Sequence, residues 1–154
     1  MTNVVNTAAE GDVYKIDLQD GKPWHYWIVL NTPNLIDGKF LIVSLTDRNN
    51  FPRNMDVWPL NYSLCASVPL AKSSVISLPH ARVKDQVWLN AYNAVFVCQS
   101  TPIALQRARC NLIWFPYFLR PETKTFVRRF HNQWEALCGP APQNPPKDNE
   151  PSHG

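Results

Sequence analysis

Three runs decide the fold of this chain: GDVYKIDL at residues 11–18, HYWIVLNTP at 25–33 and KFLIVSLTD at 39–47. In the first run apolar and polar residues alternate, which is typical of a strand with one buried face. The second and third runs contain nearly continuous apolar stretches rich in aromatic and β-branched residues, as strongly buried strands do. Turn-forming Asp, Asn, Gly and Pro residues follow the first two runs. The pattern predicts three consecutive strands joined by short loops, and therefore a small antiparallel barrel.

Further strands are predicted along the first two thirds of the chain. Residues 57–60 and 66–70 are short apolar pieces broken by proline, which suits edge strands better than central ones. Residues 74–78, 87–89 and 94–98 are apolar runs separated by turn residues. A series of about six or seven short strands at this spacing is what a barrel requires, so the predicted fold class is mostly β.

Helical signals are confined to the C-terminal third. Thr101 fits an N-cap and is followed by proline at the first helical position, so a helix is predicted over residues 103–114. A second, clearer helix is predicted from Pro121 to residue 138, before Gly139 at the position of a C-terminal cap. Its apolar residues recur at spacings of three and four, which places them in one stripe: Phe126, Val127, Phe130, Trp134 and Leu137.

At 154 residues, with 45% hydrophobic and 18% charged residues, the chain has the length and composition of one globular domain. The domain is predicted to span residues 11–138. Residues 1–10 show no clear period and are predicted to form a flexible arm. Residues 139–154 contain five prolines and no large apolar residue, so a disordered Pro-rich tail is predicted.

The sequence shows no targeting signal and no membrane-spanning segment. The first ten residues lack the positively charged start of a secretory signal, and the longest apolar block in the second half, residues 112–119, falls far short of the roughly 20 residues that span a bilayer. The four cysteines are scattered, without a Cys-x-x-Cys pair or a histidine at zinc-ligand spacing. The sequence therefore predicts a cytoplasmic protein with buried, reduced thiols, no metal and no cofactor.

The strand motifs resemble, in their order, the MazF/PemK toxin family, whose members are also called Kid or CcdB-type barrels. The family opens on Gly-Asp-[Val/Ile]-[Tyr/Trp], which residues 11–14 match. It continues with a strand that begins at an Arg-Pro pair, a strand that ends in Ile-Thr, and a Ser-Val strand that leads to Gln-x-Arg. The corresponding segments here are residues 25–30, 42–46, and 74–78 with His80-Ala81-Arg82. The match covers residues 10–85, about half of the chain.

The resemblance implies a small SH3-like barrel, usually a homodimer, that cleaves single-stranded mRNA without a metal and is neutralised by an antitoxin protein. In the family's reaction a 2′-hydroxyl attacks the adjacent phosphate, so the site needs a proton acceptor, a proton donor and positive charge. An Arg at the start of the second strand and a Thr or Ser at the end of the third carry most of this chemistry in the family. Here the Thr position is Thr46, and the Arg position is occupied by His25.

His25 departs from the family at its most informative position, and two hypotheses stay open. Arginine is a permanent cation, whereas a histidine side chain has an unperturbed pKa near 6.5. In the first hypothesis His25 is the general acid or base of an endoribonuclease, with Arg48 or Arg82 supplying positive charge. In the second, catalysis is lost, and the chain is a non-catalytic SH3-like module that binds RNA or a protein partner through the same groove.

Five more residues are predicted to bind RNA around the two catalytic positions: Trp24, Arg48, Arg53, His80 and Arg82. The tryptophan is placed to stack on a base, although core packing is its simpler role. The two arginines of the polar loop after residue 46 are placed to hold phosphates, although a solvated loop explains them equally well. The net charge of +3 permits RNA binding without arguing for it.

Overall fold

A computed structural model describes residues 7–33, 36–47, 63–66, 68–69 and 74–141. Within these ranges the strands are β1 (Asp12–Ile16), β2 (His25–Val29), β3 (Phe40–Asp47), β4 (Ser63–Cys65), β5 (Val68–Pro69), β6 (Ser74–Ile76), β7 (Arg82–Lys84) and β8 (Val95–Gln99). The helices are α1 (Gln86–Ala91), α2 (Pro102–Trp114), α3 (Pro121–Val127) and α4 (His131–Glu135), with 3-10 helices at Leu78–His80 and Pro116–Phe118. The predicted strand at 57–60, residues 1–6 of the predicted arm and residues 142–154 of the predicted tail lie outside the described residues.

The long strand β3 organises the sheet because it pairs with three other strands. Along one edge it pairs antiparallel with β2, while along the other its first half pairs with β7 and its second half with β6. Strand β1 continues the sheet from β2 to β8, and within the described residues the pairing does not return from β8 to β6 or β7. A small antiparallel β domain with C-terminal helices is therefore confirmed, whereas the SH3-like barrel of the MazF/PemK type stays a prediction.

The two faces of the sheet cover separate apolar cores. Side chains alternate along a strand, so residues that are paired in register share a face. On the helix-covered face, Val13, Ile28 and Val43 belong to a core completed by α2, α3 and α4. On the opposite face, named the α1 face, Trp27 lies in a second core that Leu89 of α1 completes. Of the candidate functional residues, His25 and Arg82 lie on this second face.

Helix α1 occupies a segment for which the sequence predicted a strand, so the prediction for residues 87–89 is wrong. Three apolar residues in a row fit either a strand or a helix. Asp85 favours the helix, because its Oδ1 accepts a hydrogen bond from the Trp88 N–H at 3.0 Å and caps the first turn. Tertiary packing also favours the helix, since Leu89 is buried on the α1 face while Val87 is 74% exposed.

The C-terminal helices begin where the sequence predicts them. Thr101 Oγ1 accepts a hydrogen bond from the Ala104 N–H at 3.1 Å and caps α2. The second predicted helix is divided, because α3 ends at Val127 and α4 starts at His131. The first four residues of its apolar stripe pack on one core across the break, and the rings of Phe130 and Trp134 are stacked. Leu137, predicted in the same stripe, is 65% exposed. None of the helices in the described ranges combines the length and the apolar character that crossing a membrane requires.

The four cysteines are joined in two disulfides, so the prediction of reduced thiols is wrong. Cys65 of β4 is bonded to Cys98 of β8, and Cys110 of α2 is bonded to Cys138, which follows α4. The partners are 33 and 28 residues apart, so linear spacing holds no signal for pairs that sheet and helix packing bring together. Disulfides persist mainly in oxidising compartments, and both bonds therefore weigh against the predicted cytoplasmic location.

Arg109 of α2 ties the helices to the sheet from a largely buried position. Its Nε and Nη2 atoms donate to the carbonyl oxygen of Leu30 at 2.9 and 2.6 Å. Its guanidinium lies 5.1 Å from the centre of the Trp134 ring, and Nη2 is 3.4 Å from the Glu10 carboxylate. Burial lowers the pKa of Arg109, and the charge of Glu10 opposes this shift. One side chain thus joins the end of β2, two helices and the N-terminal residues.

We expect Arg109→Ala to lower the free energy of unfolding by about 1–3 kcal/mol, because the buried Leu30 carbonyl then loses both donors. Urea unfolding followed by circular dichroism measures the change. Glu10→Gln is the matched control, since Glu10 is half-exposed and its ion pair is worth at most ~1 kcal/mol. A loss in Arg109→Ala no larger than the loss in the control would contradict the anchoring role.

Candidate functional site

His25, the first residue of β2, lies on the α1 face of the sheet. It pairs with Ile16 of β1, which belongs to the core on that face. In the register between β2 and β3, Trp27 lies opposite Ser44. This register ends at that pair, while Thr46, two residues further along β3, pairs with Val75 of β6 on the other edge of the strand. The two residues predicted to be catalytic are both half-buried and lie on adjacent, antiparallel strands.

His80 is held beside β3 by the 3-10 helix that follows β6. The Ser77 N–H donates to the Ser44 carbonyl oxygen at 2.8 Å, which continues the sheet pairing beyond β6. Ser77 Oγ and His80 Nδ1 form a hydrogen bond of 2.6 Å, which orients the imidazole through Nδ1 and makes Nε2 its other proton site. Two residues further along, Arg82 lies opposite Ile42 of β3, on the α1 face.

Five basic side chains at this end of the α1 face form what we name the cationic cluster: Lys22, His25, His80, Arg82 and Arg120. Arg120, which precedes α3, donates from Nε to the carbonyl oxygen of Pro79 at 3.0 Å. Burial lowers the pKa of His80, and the positive charges of the four other members lower it further. Like charges that act on one another create a positive potential, and this potential attracts anions.

Two buried N–H groups on the α1 face have no acceptor among the described residues, namely Trp27 Nε1 and Arg82 Nε. Burial and the charge of Arg120 lower the pKa of Arg82, whereas Tyr92 and Asp20 oppose the shift. Buried donors in folded proteins are almost always hydrogen-bonded. Trp27 is 2% exposed, so its N–H is out of reach of an external ligand, whereas the partly exposed Arg82 side chain can bind an anion at the cationic cluster. A phosphate group supplies both the acceptor oxygens and the negative charge.

Trp24 lies on the opposite face of β2 from His25. The ring centres of Trp24 and Tyr26 are 5.0 Å apart, and the Lys15 ammonium is 4.8 Å from the Trp24 ring centre. Lys15 and Tyr26 are paired in register, and Tyr26 packs against the core on the helix-covered face. The structure thus separates the residue predicted to stack on a base from the residues predicted to be catalytic.

The Gly11-Asp12 pair, on which the family resemblance opens, has a structural role. Gly11 has a φ of +88°, and an added Cβ would lie 2.9 Å from Gln99 Oε1. The buried Asp12 carboxylate accepts hydrogen bonds from the Ala9 N–H at 3.0 Å and from Gln99 Nε2. The carboxylate also accepts a hydrogen bond from the Tyr14 hydroxyl at 2.9 Å. The pKa of Tyr14 is raised mainly by burial and, to a smaller extent, by this hydrogen bond. The pair therefore joins β1 to β8.

Lys22, Ser77 and Arg120 belong to the site, although no motif in the sequence indicates them. Each lies within two residues of a proline, which marks a change of chain direction but no chemistry. They come from the loop between β1 and β2, the end of β6 and the start of α3, and only the folded chain brings them together. Arg48 and Arg53, the remaining residues predicted to bind RNA, lie outside the described residues.

No protein-family model matches the chain, and no curated protein matches it in sequence. The resemblance to the MazF/PemK toxins therefore remains a prediction from the motifs of residues 10–85. In the described part of the chain, no three His, Cys, Asp or Glu side chains are grouped so that they could hold a metal ion. What the site does must therefore follow from the cationic cluster itself.

The lowered pKa of His80 leads to a pH-dependent stability. The pKa of His80 is about 6.5 in the unfolded chain and lower in the folded protein. As the pH falls, the unfolded state therefore binds a proton more readily than the folded state. The free energy of unfolding is highest above about pH 6.5 and decreases as the pH falls through the pKa of His80 in the folded protein. We expect His80→Gln to flatten this acid-side loss, as unfolding midpoints measured between about pH 8 and pH 5 will show.

His131→Gln is the control for this titration, because the His131 ring bonds Glu135 on the exposed side of α4. Inorganic phosphate is expected to raise the pKa of His80, since a bound anion offsets the neighbouring positive charges. Histidine NMR titration measures that pKa directly. A His80 midpoint at or above about 6.5 without phosphate would contradict the mutual repulsion in the cationic cluster.

Proposed function

We propose that this chain is a metal-independent endoribonuclease of the toxin type, which cleaves single-stranded RNA at the cationic cluster. One observation supports the proposal above all: the charges of His25 and Arg82 both act on His80, and the sequence indicates these three residues separately for one reaction. Thr46 lies on β3, which pairs with the strands that carry His25 and Arg82. Two imidazoles that act on each other's charge are suited to the paired proton transfers of such a reaction.

In the proposed reaction the 2′-oxygen of one ribose attacks the adjacent phosphorus, and the bond from that phosphorus to the next 5′-oxygen breaks. The 2′-hydroxyl loses a proton and the leaving 5′-oxygen gains one, so the products are a 2′,3′-cyclic phosphate and a 5′-hydroxyl. No atom is oxidised or reduced. The site therefore needs one base, one acid, and donors for the phosphorane oxygens.

His80 suits the role of base because its lowered pKa favours the neutral imidazole. When Nδ1–H donates to Ser77 Oγ, Nε2 is free to take the proton of the 2′-hydroxyl. His25 in its protonated form gives a proton to the leaving oxygen. Arg82, through the exposed part of its guanidinium, and Thr46 donate to the non-bridging oxygens.

The finer features of the toxin family belong to the same proposal. They are the SH3-like barrel, the homodimer and an antitoxin protein as partner, and they rest on the motifs of residues 10–85. The two disulfides favour an oxidising compartment over the cytoplasm, so the proposed activity is not tied to a cytoplasmic location.

A non-catalytic RNA-binding module is the second candidate function. His25 favours it, because this residue stands where the family has a permanent cation. The partly exposed Arg82 also favours it, since an arginine in the cationic cluster serves the binding of a phosphate whether or not bond cleavage follows. The two functions share one ligand and differ in the fate of the RNA.

Incubation of the purified protein with a long, end-labelled single-stranded RNA in EDTA separates the two functions. The endoribonuclease predicts discrete fragments that end in a 2′,3′-cyclic phosphate, and no cut at a position that carries a 2′-deoxy sugar. Intact RNA that migrates more slowly at high protein concentration would support the binding module and overturn the enzyme. Intact RNA that migrates freely even at low salt would overturn both.

A further inference from the structure

A row of aromatic rings crosses the α1 face beside the cationic cluster. Trp27 forms its buried end, and its ring centre is 5.7 Å from that of Trp88 in an edge-to-face contact. The Tyr92 ring follows at 5.4 Å from Trp88, tilted by 53°. Trp88 and Tyr92 are both half-buried, so the row runs from the core of this face to its surface.

Positive charge accompanies the row along β7. Arg82 and Lys84 both point to the α1 face, since their register partners Ile42 and Phe40 belong to its core. The Lys84 ammonium lies 5.7 Å from the centre of the Trp88 ring. Tyr92 is close enough to Arg82 for its phenol to affect the charge of the guanidinium. The surface end of the row and the cationic cluster therefore meet at Arg82.

The position of Tyr92 is set by α1 and not by a free loop. Asp85 caps the helix, Leu89 anchors it in the core, and the Tyr92 N–H donates to the Trp88 carbonyl oxygen at 3.2 Å. Asn93, with a φ of +51°, then turns the chain into β8. A ring held in this way loses little conformational freedom when a ligand binds against it.

We propose that Tyr92, backed by Trp88, is the surface on which one nucleobase of bound RNA stacks, next to the phosphate held by Arg82 and the cationic cluster. This inference rests on the proposed function, because it assigns the base that accompanies the phosphate. A base is free to stack on a side chain only when it is unstacked from its neighbours, so the arrangement selects single-stranded over duplex RNA. Tyr92 takes the place that the sequence assigned to Trp24.

Two non-cleavable ligands test the proposal: a fluorescein-labelled ten-unit 2′-O-methyl oligouridylate, and the same backbone with its bases removed. Both carry the same phosphates, so a difference in Kd measured by fluorescence anisotropy reports the bases alone. We expect the strand with bases to bind at least about 5-fold more tightly. Tyr92→Leu should abolish that difference without weakening the binding of the abasic strand, whereas Tyr92→Phe should keep the difference.

Tyr117→Leu is the matched control, because Tyr117 is an exposed tyrosine outside α1. Equal binding of the two strands by the wild type would overturn the stacking role while phosphate binding stands. Equal weakening of both strands by Tyr92→Leu would also overturn it, since Tyr92 would then have only a structural role. No binding of either strand at low salt would overturn the proposed function itself. Unfolding midpoints of all variants establish that each is folded.

Discussion

Replacement of either His25 or His80 with alanine is expected to lower the rate of RNA cleavage by about 10²–10⁴-fold. Each change removes one of the two proton transfers, and removing both should cost little more than removing one, because the two groups act as a unit. Single-turnover rates on an end-labelled RNA measure the effect. His131→Ala, on α4, serves as the histidine control and should cleave at the wild-type rate.

The pH profile tests the assignment of roles between the two histidines. The base must be neutral, so the wild-type rate should fall as the pH drops through the pKa of His80. The residual activity of His80→Ala should lack this acid limb, whereas that of His25→Ala should keep it. Wild-type rates in both variants would show that cleavage does not occur at the cationic cluster. An acid limb retained in His80→Ala would exclude His80 as the base.

The second large effect is on stability, through the Cys110–Cys138 disulfide. Its closed loop spans 28 residues, so the Cys110→Ser, Cys138→Ser double variant is expected to lose about 3–4 kcal/mol of unfolding free energy through the greater entropy of the unfolded chain. For a chain of this length the melting temperature should fall by roughly 7–14 °C. Without this disulfide, α2 is no longer covalently joined to the segment that follows α4.

Thermal unfolding with and without a reducing agent provides the control for this variant. Reductant should lower the melting temperature of the wild type by more than that of the double variant, which retains only Cys65–Cys98. Alkylation of the unreduced, denatured protein followed by mass spectrometry counts free thiols directly. Four alkylated cysteines in protein purified without reductant would contradict both disulfides, and with them the argument for an oxidising compartment.

The strands were predictable where the signal is local. The apolar run of β3 is set by neighbouring residues, and the start of α2 depends on Thr101 and the turn that it caps. The segment at residues 87–89 was not predictable in this way, because its helix depends on the burial of Leu89 against a distant sheet. The same limit applies to the disulfides, whose partners no linear spacing relates.

For the candidate site the division is similar. His25 and Thr46 could be assigned from sequence to the start of β2 and the end of β3, which are consecutive in the chain and antiparallel in the sheet. Tyr92 and Arg120 could not be found, since their places beside Trp88 and Pro79 depend on the tertiary packing of segments distant in the chain from β2 and β3. Trp24 was misplaced by its nearness to His25 in the chain, because adjacent residues of a strand point to opposite faces.

By itself, the sequence determined the three strands of residues 11–47, the start of α2 at its cap, and that the β part precedes most of the helices. Only the tertiary structure decided which cysteines pair, which face each side chain takes, and which cations join the histidines. The reason is physical: periodicity and capping act between residues a few positions apart, whereas the cationic cluster depends on sheet register and on helices packed across the sheet.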